Sequence, residues 1–196
     1  MSRLLIILPA AALVWFLLLR DDSVELGPGV RAPEAPLQSR LEALESFERD
    51  GYRITPLAEF RIRAKVLGRE TYSSDREADL SPLDLALGWG RMSDEAVLTH
   101  IDISQSGRWY RWRTEQFPIP RREIETHSAN MHLIAADDLV EDVLDDIVRG
   151  QVIELDGFLV RADADDGWRW ISSLTREDTG ARACELVYVK RARIVF

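Results

Sequence analysis

The chain has 196 residues, with 25 basic and 34 acidic side chains and a formal charge of −9. So mixed and mildly acidic a surface excludes free duplex nucleic acid as a partner, because neutralising phosphates needs a net basic face. The single cysteine, Cys184, excludes an internal disulfide scaffold and a cysteine-rich zinc site.

Arg3 is followed by an apolar run from Leu4 to Leu19 that ends at Arg20, Asp21 and Asp22. Sixteen apolar residues at about 1.5 Å each make roughly 24 Å of helix, a few Å short of the roughly 30 Å hydrocarbon core. Arg3 and Arg20 can snorkel to close that gap, and Trp15 lies where an interfacial aromatic would sit. The run is therefore read as an N-terminal transmembrane anchor. A cleaved signal peptide, the alternative, wants small residues after its core, whereas Val14 to Leu19 are bulky. The positive-inside rule then puts the N-terminus in the cytoplasm and the body outside it, at the inner membrane of a bacterial envelope.

Gly27, Pro28, Gly29, Pro33 and Pro36 mark a linker, and Leu41, Leu44 and Phe47 at helical spacing predict a short helical stalk. The expected division is an anchor over 1–22, linker and stalk over 23–55, and one soluble domain over 56–196. Phe60, Ile62, Ala64 and Val66 alternate with Arg61, Arg63 and Lys65, which predicts a half-buried strand. An acidic loop follows, and Ser81-Pro82 reads as the start of a brief helix over Leu83 to Leu87. Gly88-Trp89-Gly90 stops it, and Ser93, Asp94 and Glu95 open another short helix. Strands are predicted at Trp109–Arg113 and at about Met131–Ala135.

Asp137 and Asp138 cap the clearest helix, whose stripe is Leu139, Val140, Val143, Leu144, Ile147 and Val148, with Gly150 at its end. Further strands cover Val152–Arg161, Trp168–Ser172 and Glu185–Val195. This order predicts a mainly β domain with one main helix (α+β), an OB-like five-stranded barrel whose helix lies between the third and fourth strands.

Three phrases, Asp84-Leu85-Ala86-Leu87-Gly88-Trp89-Gly90, Thr126-His127-Ser128-Ala129-Asn130-Met131-His132, and Trp168 through Ser172 to Arg176, resemble an uncharacterised family of bacterial single-pass membrane-anchored proteins. The resemblance spans about Phe60 to Val189. It implies a bacterial origin and a shared fold, and carries no activity, cofactor or partner with it.

Two clusters interleave arginine with aromatics: Arg108 to Arg113, holding Trp109, Arg111 and Trp112, and Trp168-Arg169-Trp170, with Arg176 beyond. On strands, Trp168 and Trp170 share a face, as do Trp109, Arg111 and Arg113. If the two strands pair, they form a stacking platform rimmed by guanidinium groups, suited to a polymer or a protein partner. The competing reading makes the tryptophans core and the arginines its solvated exterior.

Glu125, His127, His132 and Cys184 could supply a metal set if the fold converges them, although an offset of five places two strand histidines on opposite faces. Cys184 or Ser128 beside a histidine, or Ser172, Ser173 and Asp178 with His127, could make a nucleophile and base, without the Gly-x-Ser-x-Gly elbow that would mark one. The expected function is thus a membrane-anchored extracytoplasmic binding or scaffold protein, with no cofactor implied. A membrane-tethered hydrolase using His127 and His132, with or without a metal, is the alternative.

Overall fold

A computed structural model describes residues 23–41, 44–175 and 184–196. The apolar run expected to form a membrane anchor, residues 4–19, lies outside the described residues. Among those described, no helix is long and apolar enough to cross a membrane.

The protein is mainly β with few helices. Its strands are β1 (Leu37–Arg40), β2 (Phe47–Arg49), β3 (Tyr52–Thr71), β4 (Leu83–Gly88), β5 (Asp102–Ser106), β6 (Trp109–Arg113), β7 (Ser128–Ala135), β8 (Val152–Asp163), β9 (Arg169–Ile171) and β10 (Glu185–Ile194). Its α-helices are α1 (Glu95–Leu98), α2 (Arg121–Thr126) and α3 (Asp138–Asp145).

Five strands close on one another in the order β3-β4-β7-β10-β8, because β3 also pairs with β8. All neighbours are antiparallel except β7 and β10, which are parallel. The alternation Phe60, Ile62, Ala64 and Val66 does put one face of β3 inside this ring. Leu83, Leu85, Leu87, Met131, Leu133, Ile153, Leu155, Val187 and Val189 fill it from the other strands. Each such side chain contributes about 1.5–3 kcal/mol on leaving water. Val140, Leu144 and Ile147 join the same core from α3 and the residues after it, and Asp137 caps α3 by accepting from the Val140 amide at 2.9 Å.

Several expectations are corrected. Leu83–Leu87 is not helical: β4 is buried along its whole length, so one face meets the ring interior while Asp84 and Ala86 are covered from outside. Burial on both faces erases the alternation that marks a strand. Leu37–Arg40 and Phe47 do not belong to a helical stalk either, since β1 and β2 both pair with β3. Trp109–Arg113 is a strand, but it belongs to a separate two-stranded hairpin with β5, and β4 takes its place as second strand of the ring. Helix α3 ends at Asp145, capped by Asp146, so Gly150 does not terminate it.

Two further clusters coat the outside of the ring. One gathers Leu67, Ala86, Met92, Ile101, Ile119 and Ile124 beneath Tyr110 and Trp112 of the hairpin. The other gathers Tyr52, Ile54, Ile134, Val160, Ala162 and Leu186 beneath Trp168 and Trp170. Residues 23–36 are seated on the domain, with Ala32 fully buried and its carbonyl accepting from the Gly90 amide at 2.7 Å.

Candidate functional site

Alternation along β4 and β7 turns Asp84, Asn130 and His132 away from the ring interior, where outward polar groups would ordinarily be wet. Here they are sealed: Asp84 is 0% exposed, His132 3% and Asn130 4%. Asp84 and His132 are direct cross-strand partners. Their side chains meet with His132 Nδ1 2.8 Å from Asp84 Oδ1.

The group that closes this row comes from the β5–β6 turn. Ser106 pairs with Trp109, leaving a two-residue turn at Gly107 and Arg108 with φ of +56° and +66°. Both values are left-handed, as a type I′ hairpin requires, and glycine at the first position lowers the strain. The turn aims the Arg108 guanidinium at the ring. Nε and Nη2 bind both Asp75 oxygens at 3.0 and 2.7 Å, and Nη1 donates to the Ser81 carbonyl at 2.8 Å and to Asp84 Oδ1 at 2.9 Å. Its plane lies 3.8 Å above the Tyr72 ring, whose hydroxyl accepts from the Arg108 amide at 2.9 Å.

Asn130 completes the network, donating to Asp84 Oδ2 at 3.2 Å and accepting from Gln105 at 2.7 Å. Asp84 already accepts from Arg108, so Nδ1 of His132 is the donor between them. The bond to Arg108 holds the Asp75 carboxyl below the usual carboxylate range, while burial pushes the Tyr72 phenol up. Tyr110, deeper under the hairpin and bonded to Ser128 at 3.1 Å, is pushed up to about 12 by burial.

An aspartate-oriented imidazole supplies two of the three members of a catalytic triad, and its other nitrogen would need a nucleophile within hydrogen-bond reach. Among the described residues no hydroxyl or thiol is bonded to His132; the Trp170 ring lies against it with centroids 4.7 Å apart. The four residues considered as metal ligands are scattered. Glu125 is bonded to Arg121 at 2.8 Å, and His127 Nδ1 lies 3.1 Å from the Thr126 hydroxyl. Cys184 is half-buried, and its carbonyl accepts from the Ser173 amide. Among the described residues no group of three or more histidine, cysteine and carboxylate side chains is placed to hold a metal.

The two aromatic clusters are not joined into one sheet, because β6 pairs with β5 and β9 with β8. As alternation requires, Tyr110 and Trp112 face the ring while Trp109, Arg111 and Arg113 are exposed. Trp112 meets Phe117 at 6.2 Å. Trp168 and Trp170 share a face and touch at 6.1 Å, and Tyr52 lies 5.3 Å from Trp168. Arg176 lies outside the described residues.

Sequence reasoning missed Arg76. It stands 4.9 Å over the half-buried Trp168 ring and 5.9 Å from that of Tyr52. It binds Asp166 through two bonds of 2.7 and 2.9 Å, clasping the loop after β3 to the loop after β8. That bond holds the Asp166 carboxyl down at about 2. Beside it Asp163 is shared between Arg161 and Arg169, each at 2.6 Å. Half-buried tryptophans under guanidinium groups at one pole of the ring form a surface that can stack on a flat or apolar ligand.

No family model matches the chain, and no curated protein or solved structure matches it.

Proposed function

We propose that this protein is a membrane-anchored extracytoplasmic binding or scaffold protein, an OB-like barrel held at the bacterial inner membrane by residues 4–19. The barrel reading is supported by the closed order β3-β4-β7-β10-β8, with α3 falling between the third and fourth strands of the ring. In OB barrels, ligands lie on the face of the second and third strands and on the loops after the first and fourth. In this chain the β5–β6 hairpin covers the first of those surfaces, leaving the loops.

The observation that carries the binding reading is Arg76 poised over half-buried Trp168, which joins those two loops. Binding rather than catalysis is favoured because Asp84, His132, Arg108 and Asp75 satisfy one another inside a covered network. The partner is an envelope protein or polymer, not duplex nucleic acid.

The test uses the full chain in detergent micelles, titrated with envelope glycan oligomers and with solubilised envelope proteins while tryptophan emission is followed. The expected result is a saturable change that Trp168→Ala abolishes and Trp168→Phe partly keeps, with thermal melting retained. Saturable binding that Trp168→Ala and Arg76→Ala leave unchanged would show that the loops are not the site.

A further inference from the structure

The glycine- and proline-rich segment that follows the apolar N-terminal run has the composition of a free tether, yet it is bonded to the domain almost from its first described residue. The Val24 amide donates to the Arg149 carbonyl at 2.8 Å, the Leu26 amide to Glu95 Oε1 at 2.7 Å, and the Gly29 amide to Asp94 Oδ1 at 2.8 Å. Arg31 and Ala32 donate their amides to the Ser93 hydroxyl at 3.1 and 3.0 Å. Underneath, buried Lys65 ties Glu95 to the Gly150 carbonyl with two bonds of 2.8 Å. Gly150, at φ +92°, has no side chain because the Val24 carbonyl occupies the place: a Cβ there would lie 1.8 Å from that oxygen.

We propose that residues 24–32 are a fixed strap that seats the domain on the bilayer in one orientation. Its Val24–Arg149 pole meets the lipid headgroups and its Trp168–Arg76 pole faces away, a consequence that rests on the anchoring of residues 4–19 proposed above. Five Cα steps separate Leu19 from Val24, a reach of at most about 18 Å. A domain of this size is about 40 Å across. Were the chain free as far as Pro36, the reach would be about 60 Å and the domain would tumble.

Strand β8 sets the distance between the poles. It starts two residues after Gly150 and runs for 12 residues to Asp163, about 35 Å along the strand. The membrane is thus the partner of the strap pole, and the aromatic loops are presented to the compartment beyond it.

The full chain, with Cys184→Ser, is reconstituted into phosphatidylethanolamine–phosphatidylglycerol vesicles carrying headgroup-attached nitroxides. A fluorophore is placed at exposed Arg149→Cys or at exposed Asp165→Cys. The Arg149 label should be quenched about threefold more than the Asp165 label, since the headgroup layer is only a few Å deep. Twelve Gly/Ser residues inserted after Ser23 should leave that difference intact in size order but shrink it toward equality. Equal quenching in the uninserted chain that floats with the vesicles would overturn the strap and leave the anchor standing. A chain that does not float with vesicles would remove the anchor and the strap together.

Discussion

Asp84 and His132 face one another across the β4–β7 ladder, 2.8 Å apart, on the outer face of a strand ring and yet closed off from water. What covers them is the chain's own hairpin, whose turn residue Arg108 bonds to Asp84. Burying a charge is tolerable only with its partners in place. Asp84→Ala leaves Arg108 and His132 facing an empty position, and we expect a loss of about 3–5 kcal/mol of stability, read from denaturant unfolding. A loss below about 1 kcal/mol would mean that water replaces the carboxylate.

Arg108 is the attachment of the hairpin tip. Arg108→Lys keeps the charge but cannot make the two-pronged bond to Asp75 or lie flat on Tyr72. Limited proteolysis should cut the hairpin between about Thr99 and Pro118 in Arg108→Ala and Arg108→Lys, while the ring strands stay protected. Equal resistance of all three proteins would assign the hairpin's hold to Tyr110 and Trp112.

Gly150→Ala should lift the strap without melting the ring, since its Cβ collides with the Val24 carbonyl and its φ is left-handed. The strain is of order 1–3 kcal/mol. Hydrogen exchange at the Val24 and Leu26 amides should accelerate in the variant, with exchange at Leu155 and Val187 unchanged.

Acid should release the same strap. Burial alone would raise the Glu95 carboxyl, but the bonds from Lys65 and from the Leu26 amide outweigh it and hold it below its ordinary value. A carboxyl depressed on folding lends stability above its unfolded pKa of about 4.3 and loses it as pH falls through the folded value. Leu26 exchange, corrected for the slowing of intrinsic amide exchange in acid, should therefore speed up below about pH 4. In Glu95→Gln that extra acceleration should vanish.

At the alkaline end the buried phenol of Tyr110 governs. Its pKa stands at about 12 in the fold against about 10 in the unfolded chain. Stability is then full below about pH 10 and declines as pH rises towards 12. Tyr110→Phe should flatten part of that decline, measured as melting temperature against pH; an identical profile would exclude Tyr110 as its source.

Elements with a wet outer face were legible from the sequence pattern, β3 from Phe60 to Val66, β8 and the capped helix α3, and β10, buried on both faces at its start, was legible from its β-branched residues. Strand β4 was not, because Asp84 and Ala86 on its outer side are as deeply buried as Leu83, Leu85 and Leu87 on its inner side. The arginine–aromatic pattern pointed to Trp168 and Trp170 and to their shared face. It could not point to Arg76, 92 positions before Trp168 in the chain, since only the fold brings the two loops together. For Arg108 a local cue existed in Gly107-Arg108 between two alternating stretches, the mark of a tight hairpin. Its partner Asp75 lay in the expected acidic loop, and Asp84 in the brief helix expected over Leu83 to Leu87.

Strand β10 lies between β7 and β8, and among the described residues it is the last strand in chain order. Arg53 on β3, which has Glu48 of β2 on one side, likewise waits for Asp163 on β8 to fill the other. Such distant pairings pay their loop-closure entropy before any contact repays it, so folding is slow and late. A nascent chain of this protein can pair β8-β3-β4-β7 but cannot close the ring: until Glu185–Ile194 is available, β7 and β8 have no strand between them. A proteolytic cut that removes Glu185–Ile194 should therefore act like loss of the whole domain rather than of one strand.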